Sequence, residues 1–270
     1  MKKKNITIII LLIFLFGLIF NNKLMSFAYP VYKNIAKTKI ENNVKNYKTA
    51  YSKHFIIKYT DSDSKYVDLI IETAEKHYYD VVNDLGYMPT DKTMIIVYPT
   101  PYKMNRDFSL VKGDDAMGIY LVGIISIQSP ALWIKPGQNL KEVFEKEGPV
   151  VHEFTHLIVD DIAKGNYPVW FTEGLALLEE YRQDKYEWGE GYNYNDKPYT
   201  LKQLTDDFDT LDEMLAYKRA FQVTKAISDK YGMSTIRSIL KDLGNGMNLK
   251  ESFYKETGEE LDSFVLSVKG

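Results

Sequence analysis

The stretch from Pro149 to Ala163 constrains this chain more than any other. Val150, Val151, Phe154, Leu157, Ile158 and Ile162 recur at helical spacing around His152, Glu153 and His156. Such a segment reads as a buried helix, with Pro149 in its first turn and Gly165 as its stop. Positions i and i+4 share one helix face, about 6 Å apart along the axis. His152 and His156 can therefore reach a single ion. Glu153 is offset to the side, near enough to take a proton from an attacking water without binding the ion itself. An ionised carboxylate buried there with no role would be costly. Two of the four histidines in the chain lie in this pentapeptide, which weighs against chance placement.

Two imidazoles do not complete a catalytic zinc site, which uses three protein ligands and keeps a fourth position open. A second helix, expected over residues 171–181, offers Glu173 within Trp170-Phe171-Thr172-Glu173-Gly174-Leu175-Ala176. Gly165 and Pro168 let the chain reverse between the two helices. Glu179 and Glu180 lie lower on the second helix and are alternatives. One Zn2+ is thus the expected cofactor. Ligating imidazoles usually give their second N–H to a carboxylate or carbonyl. Asp160, four residues past His156, is the first candidate for that task, ahead of Asp161 and Glu180. His54 and His77 have no partner at metal spacing and read as structural or surface residues.

The N-terminus addresses the compartment. Lys2-Lys3-Lys4 precedes an apolar run from Ile6 to Phe20. That pattern is a signal peptide or an uncleaved membrane anchor over residues 1–28, with Ser26 and Ala28 as small residues suited to cleavage. The expected location is extracytoplasmic, either membrane-anchored or secreted. There is no cysteine, so disulfides, thiolate metal sites, cysteine nucleophiles and lipidation at a cysteine are all excluded. Four of the 34 basic residues fall within the first 28 positions, with no acid among them. The rest of the chain therefore carries 30 basic against 37 acidic side chains, a net −7. An acidic body is a poor partner for nucleic acid.

Residues 29–50 are rich in Lys and Asn and read as a stalk or a loosely docked helix. Strands are expected at 54–60 and 93–98, with a third β-rich stretch at 117–127. A helix is expected over 64–85. Beyond residue 199 the pattern is helical, near 211–230, 234–243, 247–256 and 259–268, with Thr257 and Glu260 forming a capping-box pattern. The layout is α+β: an upper lobe over about 51–165 and a helical lower lobe over about 166–270, together one domain.

His-Glu-x-x-His followed by Trp-x-x-Glu-Gly-x-Ala resembles the gluzincin zinc metallopeptidases, in particular the small bacterial "peptidase MA-like" domains. The resemblance runs from about residue 50 to the C-terminus, and its metal motifs are its specific part. It implies a thermolysin-like zincin, with the active-site cleft between an N-terminal α/β lobe carrying the active-site helix and a mainly helical C-terminal lobe. In the related enzymes a Tyr or His of the lower lobe stabilises the oxyanion. No histidine follows residue 156, and Tyr217, 61 residues after His156, resembles the aminopeptidase tyrosine in position. Arg219 is a second candidate donor. The strand Gly123-Ile124-Ile125-Ser126-Ile127 resembles the gluzincin edge strand, so Gly123, Ile125 and Ile127 are candidate substrate contacts.

The expected function is hydrolysis of peptide bonds in an extracytoplasmic protein or peptide, with Glu153 as base and proton donor. The Gly-x-Met-Glu-Asn signature of the related aminopeptidases is not evident, which favours an endopeptidase. A membrane-tethered binding or sensing domain that keeps the scaffold without cleaving is the alternative.

Overall fold

The computed structural model describes residues 22–108, 116–194 and 197–270. The fold is α+β, with one five-stranded mixed sheet and a helical second half. It opens with helix α1 (Asn22–Asn43) and strands β1 (Lys48–Tyr51) and β2 (Phe55–Tyr59). A 3-10 turn (Asp61–Tyr66) leads into α2 (Val67–Leu85), then β3 (Thr93–Tyr98) and α3 (Pro101–Phe108). Strands β4 (Gly118–Leu121) and β5 (Ile124–Gln128) complete the sheet. Helices α4 (Leu140–Glu147), α5 (Val150–Ala163), α6 (Val169–Asp184), α7 (Leu201–Asp206), α8 (Glu213–Gly244), α9 (Leu249–Thr257) and α10 (Leu261–Ser267) follow. The N-terminal apolar run lies outside the described residues. Among those described, no helix is long and apolar enough to cross a membrane.

The strand order is β1-β2-β3-β5-β4. The three inner strands are parallel, and each outer strand pairs antiparallel with its neighbour. Successive side chains leave opposite faces of a strand. Ile95 and Val97 of β3 accordingly enter the main core with residues of α2 and α5, while Met94, Ile96 and Tyr98 join Ile40, Val44 and Ile124 on the face covered by α1. Burial on both faces explains why β3 reads as a continuous apolar run. The main core extends from Phe55 in the sheet to Val265 in α10, so the halves on either side of residue 165 share it.

Of the two readings for residues 29–50, the docked helix matches the structure better than the stalk. These residues form the body of α1 and the edge strand β1, and Ile40 and Val44 are buried against the sheet. Weak apolar periodicity hid this, because the docked face of α1 uses polar anchors in its first half. The β-rich stretch at 117–127 is two strands. Val122 and Gly123 both adopt positive φ and turn the chain between β4 and β5. The helices expected at 211–230 and 234–243 are the two parts of α8, which kinks at Gly232. The Thr257–Glu260 capping box does not form, because the last helix has Glu260 itself at its N-cap and Thr257 Oγ1 accepts from Glu259 N instead. Boxes form instead at Thr200 with Gln203 and at Asn248 with Glu251.

Candidate metal centre

Helix α5 is buried over most of its length, as its apolar sequence requires. It ends at Lys164 in the left-handed conformation, and Pro168 opens α6 a few residues later. This reversal lays the first turns of α6 against α5. His152 Nε2 lies 3.2 Å and His156 Nε2 3.5 Å from the same Glu173 oxygen, Oε2. All three ligand atoms fall within 4.8 Å of one another. In a tetrahedron with metal–ligand bonds of about 2.0–2.1 Å, neighbouring ligand atoms are about 3.3 Å apart. The two His–Glu spacings match that edge, and His152, His156 and Glu173 offer an N,N,O donor set that could hold a metal ion such as zinc.

The second nitrogen of each ring is also engaged. His156 Nδ1 lies 2.7 Å from Thr172 Oγ1, and His152 Nδ1 lies 3.3 Å from Glu180 Oε1. A carboxylate only accepts, so with an ion on Nε2 the remaining His152 proton would sit on Nδ1, facing Glu180. Burial opposes charge on His152, but Glu180 and Glu173 together outweigh it and hold its pKa well above the usual imidazole value. Burial likewise works against ionised Glu173, and His156 and His152 overcome it, holding that carboxyl well below the usual range.

Glu153 is 5% exposed and neighbours the ligands without being one of them. Burial raises its pKa from the usual carboxylate value, against the pull of His152 and His156. Gly118 of β4 packs so closely here that a Cβ on it would sit 2.7 Å from Glu153 Oε1. On the other side, Gly174 lets α8 approach α6, since its Cβ would stand 2.4 Å from the Ala220 carbonyl oxygen. That approach carries Tyr217 toward the centre. Its phenol is pushed far up by burial and then by the charges of Glu173, Glu213 and Glu153. Its ring leans on Phe208 (5.5 Å) and Trp188 (6.1 Å), the latter from the 186–199 loop.

Several expected roles fall elsewhere. Asp160 touches neither histidine. It is fully buried and accepts hydrogen bonds from Tyr29, Tyr120, Tyr167 and Lys33. Its distance from the imidazoles follows from helix geometry, because four residues carry it a full turn past His156, toward α1. Thr172 and Glu180 take the imidazole-orienting positions instead. Asp161 pairs with Lys33. Glu179 is buried away from the cluster. Arg219 turns to the backbone oxygens of Tyr199, Val265 and Val268, tying α8 to the C-terminal helix.

Ile125 and Ile127 belong to the inner strand β5 and are wholly buried. Gly123 sits in the hairpin turn and donates its N–H to the Tyr120 hydroxyl oxygen. The edge strand beside the centre is β4, which the turn at Val122 places outermost. Glu180 was legible, two helical turns beyond Glu173 on one face. Thr172 and Gly118 carried no periodic signal and emerge only from packing.

No family model matches the chain. It is similar to an uncharacterized protein of Bacillus subtilis (strain 168), YhcO, with 24% identity over an alignment that covers 85% of this chain and 73% of that protein.

Proposed function

We propose that this chain is a zinc-dependent peptidase of the gluzincin type, exported and either anchored or released by its N-terminal segment. The observation that carries the reading is the convergence of His152, His156 and Glu173, whose ligand atoms lie within 4.8 Å of one another, with Glu153 buried alongside. A thermolysin-like division of labour follows, in which the sheet half supplies α5 and the edge strand and the helical half supplies Glu173 and Tyr217. The substrate is a peptide or protein, and an endopeptidase is favoured over an aminopeptidase.

Zinc, when bound, supplies a Lewis acid that polarises a carbonyl and makes water more acidic. Glu153 accepts a proton from the water as its oxygen attacks the scissile carbonyl carbon. The same carboxyl then protonates the leaving amine as the C–N bond breaks. Burial raises its pKa, the direction that favours its taking up a proton. The Tyr217 hydroxyl donates to the negative charge growing on the carbonyl oxygen. Strand β4 pairs on one side only among the described residues, so its free side can take an extended peptide through main-chain hydrogen bonds.

The test is Glu153→Gln in the zinc-loaded protein. Zinc should remain at one per chain while hydrolysis falls about 10²–10⁴-fold. Undiminished hydrolysis would remove Glu153 from the mechanism. A wild-type protein that binds zinc and cleaves nothing in a broad peptide library would point to a non-cleaving binding domain.

A further inference from the structure

We infer that Asp160 is a positioning residue for the substrate-side edge strand, and that α1 holds it in that role through Tyr29 and Lys33. The inference rests on the peptidase reading for its functional consequence. Asp160 Oδ1 accepts from Tyr29 (2.6 Å) and Tyr167 (3.0 Å), and Oδ2 from Tyr120 (2.6 Å) and Lys33 (2.6 Å). Four donors saturate a carboxylate's acceptor sites, which is the condition for burying one at all. They come from α1, β4 and the turn between α5 and α6, so one side chain on α5 ties together every segment around it.

Strand β4 is pinned to α5 at two points. Gly118 packs on Glu153, and Tyr120 hydrogen bonds to Asp160. Residues two apart on a strand face the same way, so both contacts lie on the α5 side of β4. The Tyr120 hydroxyl oxygen also accepts the Gly123 N–H, bracing a turn in which Val122 holds φ at 45°. A β-branched residue resists that conformation, and it persists only where its surroundings enforce it. The enforcing contacts include α1, since the Lys33 side chain lies against Gly123 on its way to Asp160. Loss of the α1 donors leaves a buried carboxylate half-satisfied, and Tyr120 is then drawn out of its place on the hairpin. The edge strand loosens where the peptide must align, while the metal ligands on α5 and α6 stay in place.

The full-length protein carrying Tyr29→Phe and Lys33→Met tests this against wild type. The probe is the quenched fluorogenic peptide that wild type cleaves fastest in a mixed library. Zinc should stay at wild-type stoichiometry, KM should rise about tenfold, and kcat should change less than about twofold. Amide hydrogen exchange over residues 118–123 should quicken while α6 keeps its protection. Restoring the cation with Lys33→Arg in the Tyr29→Phe background should recover most of the KM. Unchanged KM together with unchanged exchange at 118–123 overturns the inference. So does a joint fall of zinc content, kcat and melting temperature, which would mark a merely structural anchor. Should wild type cleave no peptide, the peptidase reading fails, and exchange at 118–123 alone then decides whether Asp160 and α1 hold the strand.

Discussion

At the scale of single residues, the centre is a problem in placing charge where water is scarce. Glu153, His156 and Thr172 are buried, and His152 and Glu173 nearly so. His152, His156, Glu173 and Thr172 each face a polar partner there, which offsets the cost of burying them. Removing one ligand should therefore cost metal outright. His152→Ala is expected to leave well under one zinc per chain, measured by mass-spectrometric metal analysis after dialysis. Thr172→Ala and Glu180→Ala should weaken zinc about 10–100-fold, because they orient the imidazoles without touching the ion. Tyr217→Phe is a different experiment. It should lower kcat about 10²–10³-fold with KM little changed, since its hydroxyl is asked to act only as charge develops. A Tyr217→Phe variant with wild-type kcat would return this residue to the ranks of packed tyrosines.

At the scale of elements, the decisive contact is between α6 and α8. Thr224 Oγ1 lies 2.8 Å from the Gly174 carbonyl oxygen, the nearest acceptor for its single hydroxyl proton. The missing Cβ at Gly174 is what allows this approach, one residue from the proposed metal ligand Glu173. Gly174→Ala should push the helices apart, costing about 1–3 kcal/mol as other overpacked cores do. Thermal melting monitored by circular dichroism would show it. Activity should fall further than stability predicts, because Tyr217 rides on the displaced helix. The sheet imposes a comparable demand at Gly118, where any side chain would enter the space of Glu153 and Pro149.

At the scale of the whole molecule, one core joins sheet and helices, so unfolding should be a single cooperative transition despite the two-part layout. Several phenols inside that framework make it sensitive to alkali. Burial, followed by a neighbouring aspartate, raises the pKa of Tyr98, Tyr120 and Tyr167 above the ordinary value. A phenol whose folded pKa exceeds its unfolded value stays protonated in the native state. Its contribution is whole below the unfolded pKa near 10 and is lost as pH rises beyond it, by about 1.4 kcal/mol per pH unit for each such group. Stability should thus fall steeply above about pH 10. Tyrosinate absorbance and loss of helical signal should appear together. Full titration of the tyrosines in a protein that remains folded would contradict this.

What could be read along the chain was whatever repeats or has a fixed spacing. The buried helix α5, the pairing of His152 with His156, the reach of Glu173, the central strands and the break at Gly232 were all visible because helical and strand periods put the relevant side chains on one face. Contacts between segments distant in sequence were not, because no local period encodes them. Folding alone moved Asp160 from the histidines to Tyr29, Tyr120, Tyr167 and Lys33, and decided between a stalk and a docked helix for residues 29–50, adding an edge strand at their end. It also buried Ile125 and Ile127 by setting β4 outside β5. In each case the deciding quantity was which neighbour could satisfy a buried polar group or cover an apolar face, and that neighbour lay many residues away.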